Sequence, residues 1–161
     1  MADHSLPRIA VVGIGGKWST ECLADALERR TGYRLVIDIT RVTLDLEENT
    51  LWYDGQNLCE LDGLVVKKVT SDYSPETLER LELLRVAESC GVRCFSSISA
   101  IQSLVNRLNC TVALGTAGIP MPETTVTEQL NEAISAVNRY GQAVLKPLFS
   151  TKARGMKVLS A

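Results

Sequence analysis

Short apolar runs recur along this chain, each followed by a small-residue loop and then by a stretch whose apolar residues fall three and four apart. Arg8-Ile9-Ala10-Val11-Val12 is β-branched and short, the pattern of a buried parallel strand. It runs into Gly13-Ile14-Gly15-Gly16, after which a helix is predicted from Ser19 to about Arg30. That helix carries Cys22, Leu23, Ala26 and Leu27 on one face, and Gly32 stops it. Tyr33–Ile39 predicts a second strand. Val42–Leu46 and Leu51-Trp52-Tyr53 predict two short ones, with Asp54-Gly55 as a turn. Leu61–Val69 is a further strand. Ser74-Pro75-Glu76 opens a helix over Thr77–Ser89 with Leu78, Leu81 and Leu84 on a stripe, and Val92–Phe95 returns to strand. Strand alternating with helix predicts an α/β domain over residues 1–95, its sheet mostly parallel and its crossovers right-handed, with Val11, Val36 and Val65 on adjacent buried strands.

Residues 96–161 continue the alternation in a second domain. Ser99–Leu104 predicts a helix that delivers Asn106-Arg107, and Asn109–Ala117 continues it with Val112, Ala113 and Thr116 inward. Gly118 ends the helix, and Pro120 and Pro122 hold the chain extended toward a strand at Thr125-Val126-Thr127. Glu128–Tyr140 predicts a helix with Leu130, Ile134 and Val137 on a core-facing stripe. Ala143-Val144-Leu145 then reads as a short buried strand with Lys146 at its mouth, and Pro147 keeps Lys146 out of a helix. A hydroxyl-bearing basic loop follows, Ser150-Thr151-Lys152-Ala153-Arg154-Gly155, before a last apolar segment, Met156–Leu159. Strand, lysine, loop, strand suits a polyphosphate: the lysine supplies a point charge, and backbone N–H groups and hydroxyls supply directional donors. An ordinary hairpin with solvated charges at its tip is the alternative reading of the same residues.

Two segments at fixed spacing carry a resemblance. Gly118-Ile119-Pro120-Met121-Pro122-Glu123-Thr124, preceded by Asn106-Arg107-Leu108 and followed by Leu145-Lys146-Pro147-Leu148, resembles the ATP-grasp superfamily, and within it the carboxylate–amine ligases of the RimK and glutathione synthetase type. Those chains run D-K-L, helix, G-I-P-x-P-x-T, helix, V-x-K-P-x-x-G-S-x-G-x-G-V. Here Asn106-Arg107 stands for the acid and lysine, Ser150 and Ala153 replace glycines, Thr151 replaces the serine, and Gly155 is kept. The resemblance covers roughly residues 60–161. It implies a parallel α/β domain preceding the ATP-grasp domain, followed by the start of the nucleotide-binding subdomain. It also implies ATP as nucleotide, bound by Arg107, Lys146, Ser150, Thr151, Lys152 and Gly155, and a ligation through an acyl phosphate. Mg²⁺ belongs to that chemistry, but the family's acidic metal ligands and adenine hinge lie beyond position 161, so no catalytic or metal residue is assigned. The 161-residue chain is expected to be inactive as a ligase by itself, as a piece of a longer enzyme or a short relic.

Composition narrows the partners. The chain is 45% hydrophobic and 22% charged with a formal net charge of −2, which gives no basic field for nucleic acid. Its apolar runs are strand-sized, so neither a membrane span nor a secretory leader is expected, and a cytoplasmic location follows. Five cysteines and one histidine, His4, assemble no obvious zinc site; the cysteines read as reduced, mostly buried side chains, with Cys90 and Cys94 the closest pair in sequence. The expected partner is a small-molecule or peptide carboxylate, and a homo-oligomer is left open.

The glycine loop after the first strand imitates a dinucleotide-binding fingerprint, with Asp38 near the end of the second strand. Trp18 stands where that fingerprint needs Gly or Ala, and its bulk is expected to hold helix and strand apart, against an NAD-binding oxidoreductase domain. Gly15 and Gly16, with Lys67 and Lys68 after the strand at Leu61–Val69, are instead candidates for lining the acceptor site. A tight turn and solvated lysines are the simpler reading of those four. A non-catalytic α/β nucleotide-binding or partner module is the alternative to a ligase.

Overall fold

The computed structural model describes residues 6–148 and 153–161. The chain divides into two compact units, Met1–Gln102 and Ser103–Ala161, so the division falls a little beyond the expected residue 95. The first unit runs β1 (Ile9–Val12), α1 (Trp18–Thr31), β2 (Val36–Ile37), β3 (Thr43–Asp45), β4 (Thr50–Tyr53), β5 (Gln56–Asn57), β6 (Gly63–Val66), α2 (Glu76–Ser89) and β7 (Arg93–Phe95), and enters α3 (Ile98–Val105).

Its main sheet has the order β2-β1-β6-β7 and every pair is parallel. Val11 lies opposite Val36 on one side and Val65 on the other, as the alternation of strand and helix predicts. Ala10, Val11 and Val12 of β1 are fully buried, because a central parallel strand is covered on both faces. α2 buries Thr77, Leu81, Leu84 and Ala87, a stripe at helical spacing that closes the core with Leu64 and Ile98.

Three local expectations are corrected. The second strand pairs only at Val36–Ile37, because the Asp38 carboxylate accepts from the Thr40 N–H at 3.0 Å and starts a 3-10 turn over Ile39–Arg41. α1 buries Thr20 and Ala24, while Cys22 is exposed. Trp18 does not separate α1 from the sheet, being 80% exposed. The close approach is made by Gly13, where a Cβ would sit 2.7 Å from Thr20 Cγ2. Between β2 and β6 the chain builds a small antiparallel sheet, β3-β4-β5. Asp54 and Gly55 join β4 to β5 with φ of 46° and 76°, the two-residue primed turn expected of an Asp-Gly pair.

The second unit contains α4 (Arg107–Thr116), α5 (Leu130–Tyr140), β8 (Gln142–Leu145) and β9 (Lys157–Ser160). The predicted helix breaks at Asn106, whose side chain accepts from the Asn109 N–H at 3.0 Å and caps α4. No strand forms at Thr125–Thr127. Thr125 instead shares a 2.6 Å hydrogen bond with the Tyr140 hydroxyl, and the Arg139 guanidinium donates to both, tying this extended segment to α5. β8 and β9 form an antiparallel hairpin against which α5 packs. The stripe expected to be core is not: Leu130 is 74% and Ile134 50% exposed, and Ala136 is the one buried residue of α5. Val144 and Leu145 of β8 are likewise exposed rather than buried.

One carboxylate ties the first loop to α1. Glu21 accepts the Gly16 N–H at 2.6 Å and pairs with Arg34 at 2.5 Å. The backbone N–H of Gly16, then Arg34, holds the Glu21 pKa below its ordinary 4.5. A depressed carboxylate stabilises above its unfolded pKa and loses that contribution as pH falls through the lower folded value. The protection of the Gly16 amide, the slowing of its exchange relative to that of an unstructured peptide at the same pH, should therefore be high at neutral pH and fall below 4.5, and Glu21→Gln should flatten that protection profile. A profile identical in the variant would detach the loop from this carboxylate. In the core, Leu64→Ala should cost about 2–5 kcal/mol in urea unfolding of the chain, since Leu64 is fully buried between β1 and β7.

Candidate functional site

The first unit offers a site at the carboxyl edge of its parallel sheet. β1 is flanked by β2 on one side and β6 on the other, so the chain leaves β1 in one direction and returns on the opposite side, the strand-order reversal at which open α/β sheets bind ligands. The Val12 carbonyl accepts from both the Lys67 N–H, 2.9 Å, and the Lys68 N–H, 3.1 Å. The glycine loop and the lysine loop thus start side by side, and Gly15, Gly16, Lys67 and Lys68 come to one edge. A Cβ at Gly15 or Gly16 would meet nothing within 4 Å, so the loop borders open space. The Gly16 N–H is already given to Glu21, an internal anion placed in the first turn of α1 where the helix dipole favours negative charge. What the loop presents to solvent is room rather than that amide. Lys67 and Lys68 are exposed. Thr70 and Ser71 bond to Asp72 and close the rest of the polar cluster on itself.

Trp18 is the residue that sequence reasoning misjudged. It opens α1 directly after the glycine loop and faces solvent, so a broad aromatic face borders the same edge. Bulk suggested a wedge; only the fold shows that the wedge position is filled by Gly13 against Thr20.

The second unit presents Lys146, exposed, at the residue after β8. Leu145 pairs with Lys157 as the last pair of the β8–β9 hairpin, so Lys146 and Met156 stand just beyond its end. The chain there is tight. Gly155 has φ of 70°, and a Cβ there would lie 3.3 Å from Pro147 Cγ, so a side chain at 155 would be both strained and crowded. Ala153, also left-handed at φ 59°, starts a turn closed by the Met156 N–H on its carbonyl at 3.2 Å. Ser150, Thr151 and Lys152 lie outside the described residues. Arg107 is the first residue of α4, its place fixed by the Asn106 cap, and it stands on a different element from Lys146. Among the described residues no group of three or more His, Cys, Asp or Glu could hold a metal ion, and no helix is long and apolar enough to cross a membrane.

No family model matches the chain. Over 143 residues, 85% of this chain and 44% of the relative, it is 29% identical to a tetrahydromethanopterin:alpha-L-glutamate ligase of Methanosarcina acetivorans. The chain spans about half the length of the curated relatives it matches. Among solved structures, a RimK domain ATP-grasp protein from Sphaerobacter thermophilus superposes with a TM-score of 0.72 at 18% identity, covering 96% of this chain and 54% of that one. The ATP-grasp ligase PsnB, solved with a variant of its minimal precursor, Mg and ADP, gives 0.69 at 19% identity, covering 97% and 58%. In sequence and in fold, this chain resembles part of the ATP-grasp ligases, with carboxylate–amine ligases among its relatives.

Proposed function

We propose that the chain is the amino-terminal part of an ATP-dependent ligase that joins a carboxylate to an amine, or less directly to a thiol, through an acyl phosphate. The observation that carries this reading is the Lys146 hairpin: a lysine at a strand end, beside a loop whose neck is fixed by Gly155 against Pro147. In the proposed reaction a carboxylate oxygen of the acceptor attacks the γ-phosphorus of ATP, and the bond to the bridging oxygen of ADP breaks. The amine nitrogen then attacks the acyl carbon, and inorganic phosphate leaves. The protein contributes position and charge: Lys146 neutralises the α- or β-phosphate, Arg107 adds a second cation, and the loop containing Ser150, Thr151, Lys152 and Gly155 covers the β/γ end. Mg²⁺ belongs to the same proposal, but among the described residues no group of three or more His, Cys, Asp or Glu could hold it.

The acceptor is proposed to dock at the carboxyl edge of the first unit, its anionic part toward Lys67 and Lys68 and the space beside Gly15 and Gly16 taken by its body. By analogy with the name of the Methanosarcina relative, the amine is an α-amino acid such as glutamate and the acceptor a larger carboxylate. Trp18 suits an acceptor that carries a ring, through stacking. A cytoplasmic location goes with these substrates. A nicotinamide site remains the weaker reading, now because Glu21 occupies the Gly16 N–H where a pyrophosphate would bind rather than because of the bulk of Trp18.

In protein of full ligase length, Lys146→Ala should weaken binding of a non-hydrolysable ATP analogue by about 2–3 kcal/mol, the scale of a charge-assisted contact to phosphate. Lys152→Ala should cost less, a loop charge being well solvated without ligand. Calorimetric titration measures both, and equal affinity for wild type and Lys146→Ala would favour a non-catalytic module. Trp18→Ala should raise the acceptor KM several-fold and leave the affinity for nucleotide unchanged. An unaltered acceptor KM would remove Trp18 from the site.

A further inference from the structure

The cysteine pair that matters in space is not the one nearest in sequence. Cys59 lies in the 3-10 turn Leu58–Glu60 just before β6, and Cys90 caps α2 just before β7. Their thiols converge on one acceptor, the Asn49 carbonyl, at 4.0 Å from Cys59 Sγ and 3.6 Å from Cys90 Sγ. The supporting backbone is held on both sides: the Asn57 side chain accepts from the Cys59 N–H at 3.0 Å, and the Cys90 N–H donates back into the last turn of α2. α2 packs directly on the Leu58–Glu60 turn, so the two thiols are brought to one carbonyl by an element contact rather than by a chance rotamer. Cys94, the nearest cysteine to Cys90 in sequence, turns its thiol to the Val92 carbonyl at 3.8 Å. Burial pushes its pKa up to about 11, with the Glu88 charge adding to the shift. None of the five cysteines is buried: Cys22 and Cys90 are exposed, and Cys59, Cys94 and Cys110 are half-buried.

We propose that Cys59 and Cys90 form a dithiol site that low-molecular-weight disulfides oxidise to an intramolecular disulfide. Cys90, the more exposed, attacks one sulfur of R–S–S–R as its thiolate and releases RS⁻, leaving a mixed disulfide on Cys90. Cys59 then attacks the Cys90 sulfur, and the second RS⁻ leaves as the Cys59–Cys90 bond forms. The two thiol protons end on two molecules of RSH, and the small disulfide takes up two electrons. Burial chiefly, with the neighbouring Cys90 thiol adding to it, raises the Cys59 pKa, which fits Cys59 to the second step, in which proximity rather than intrinsic thiolate content sets the rate. Two thiols on one carbonyl oxygen must leave it and close on each other to reach bonding distance, a movement asked of a short turn and a helix end. The bond would clasp the β3-β4-β5 segment and its turn to α2. It sits at the amino edge of the main sheet, where β6 and β7 begin, whereas Lys67 and Lys68 follow the carboxyl end of β6. Closure is therefore a clasp on the first unit and leaves the proposed acceptor edge in place.

The test incubates the folded 161-residue chain with oxidised glutathione, blocks remaining thiols with iodoacetamide, and maps peptides by mass spectrometry. The expected product is a Cys59–Cys90 cross-linked peptide lighter by two hydrogens, with Cys22, Cys94 and Cys110 alkylated. Thermal unfolding of the oxidised protein should rise by on the order of 10 °C, reversed by dithiothreitol, because the cross-link restricts the unfolded chain. Cys90→Ser, a change at an exposed position, should fold normally and lose both the cross-linked peptide and the rise. The proposal is overturned if Cys59 and Cys90 are alkylated as fully as Cys22 after the same oxidation. It is also overturned if the reaction stops at a glutathione adduct on Cys90, or if Cys90 pairs with Cys94.

Discussion

The parallel pairing of β1 with β6 is the constraint on which the first unit depends. Val12 ends β1, and its carbonyl takes the N–H groups of both Lys67 and Lys68 as β6 runs out beside it. With β2 on the other flank, this pairing turns the carboxyl edge into the strand-order reversal and sets the two loops next to each other. Had β6 joined beyond β2, the lysine loop would lie two strands from the glycine loop. Gly13 completes the arrangement: without a side chain it lets Thr20, and hence α1, close over the strand end, which leaves Trp18 free to face outward.

The two units are built with different degrees of closure. The first has both faces of β1 covered and a continuous set of buried apolar residues from α2 and α3. The second buries little: its β8–β9 hairpin, α4 and α5 expose Val112, Leu130, Ile134, Val144 and Val158. A helix with so marked an apolar stripe ordinarily lies against a core. That contrast accords with the proposed role of the second unit as one face of a nucleotide site, and with relatives of which the chain spans about half.

What the sequence made legible was the parallel sheet, because β-branched runs and three-four spacing report burial on both faces and on one face respectively. Val11, Val36 and Val65 fell into register as expected. So did the Asp54-Gly55 turn, whose two positive φ angles those residues tolerate. Strand lengths were not legible, because a capping side chain such as Asp38 ends a ladder that hydropathy alone would extend. Burial in the second unit was not legible either: periodicity marks an apolar stripe but not what covers it, and Leu130 and Ile134 are exposed. At the sites, the place of Lys146 at a strand end was read correctly, while Trp18 was given the wrong role because its rotamer and the Gly13–Thr20 contact are tertiary facts. The Cys59–Cys90 pair, 31 positions apart, had no sequence signal at all.

In the proposed function labour is divided: nucleotide at the Lys146 hairpin of the second unit, acceptor at the carboxyl edge of the first. Hydrogen exchange of protein of the length proposed for the ligase, with and without a non-hydrolysable ATP analogue, tests that division most directly. Slowed exchange across residues 145–157, with residues 13–18 unchanged, is the predicted result. Protection of residues 13–18 with none at 145–157 would place the nucleotide on the glycine loop and contradict the account.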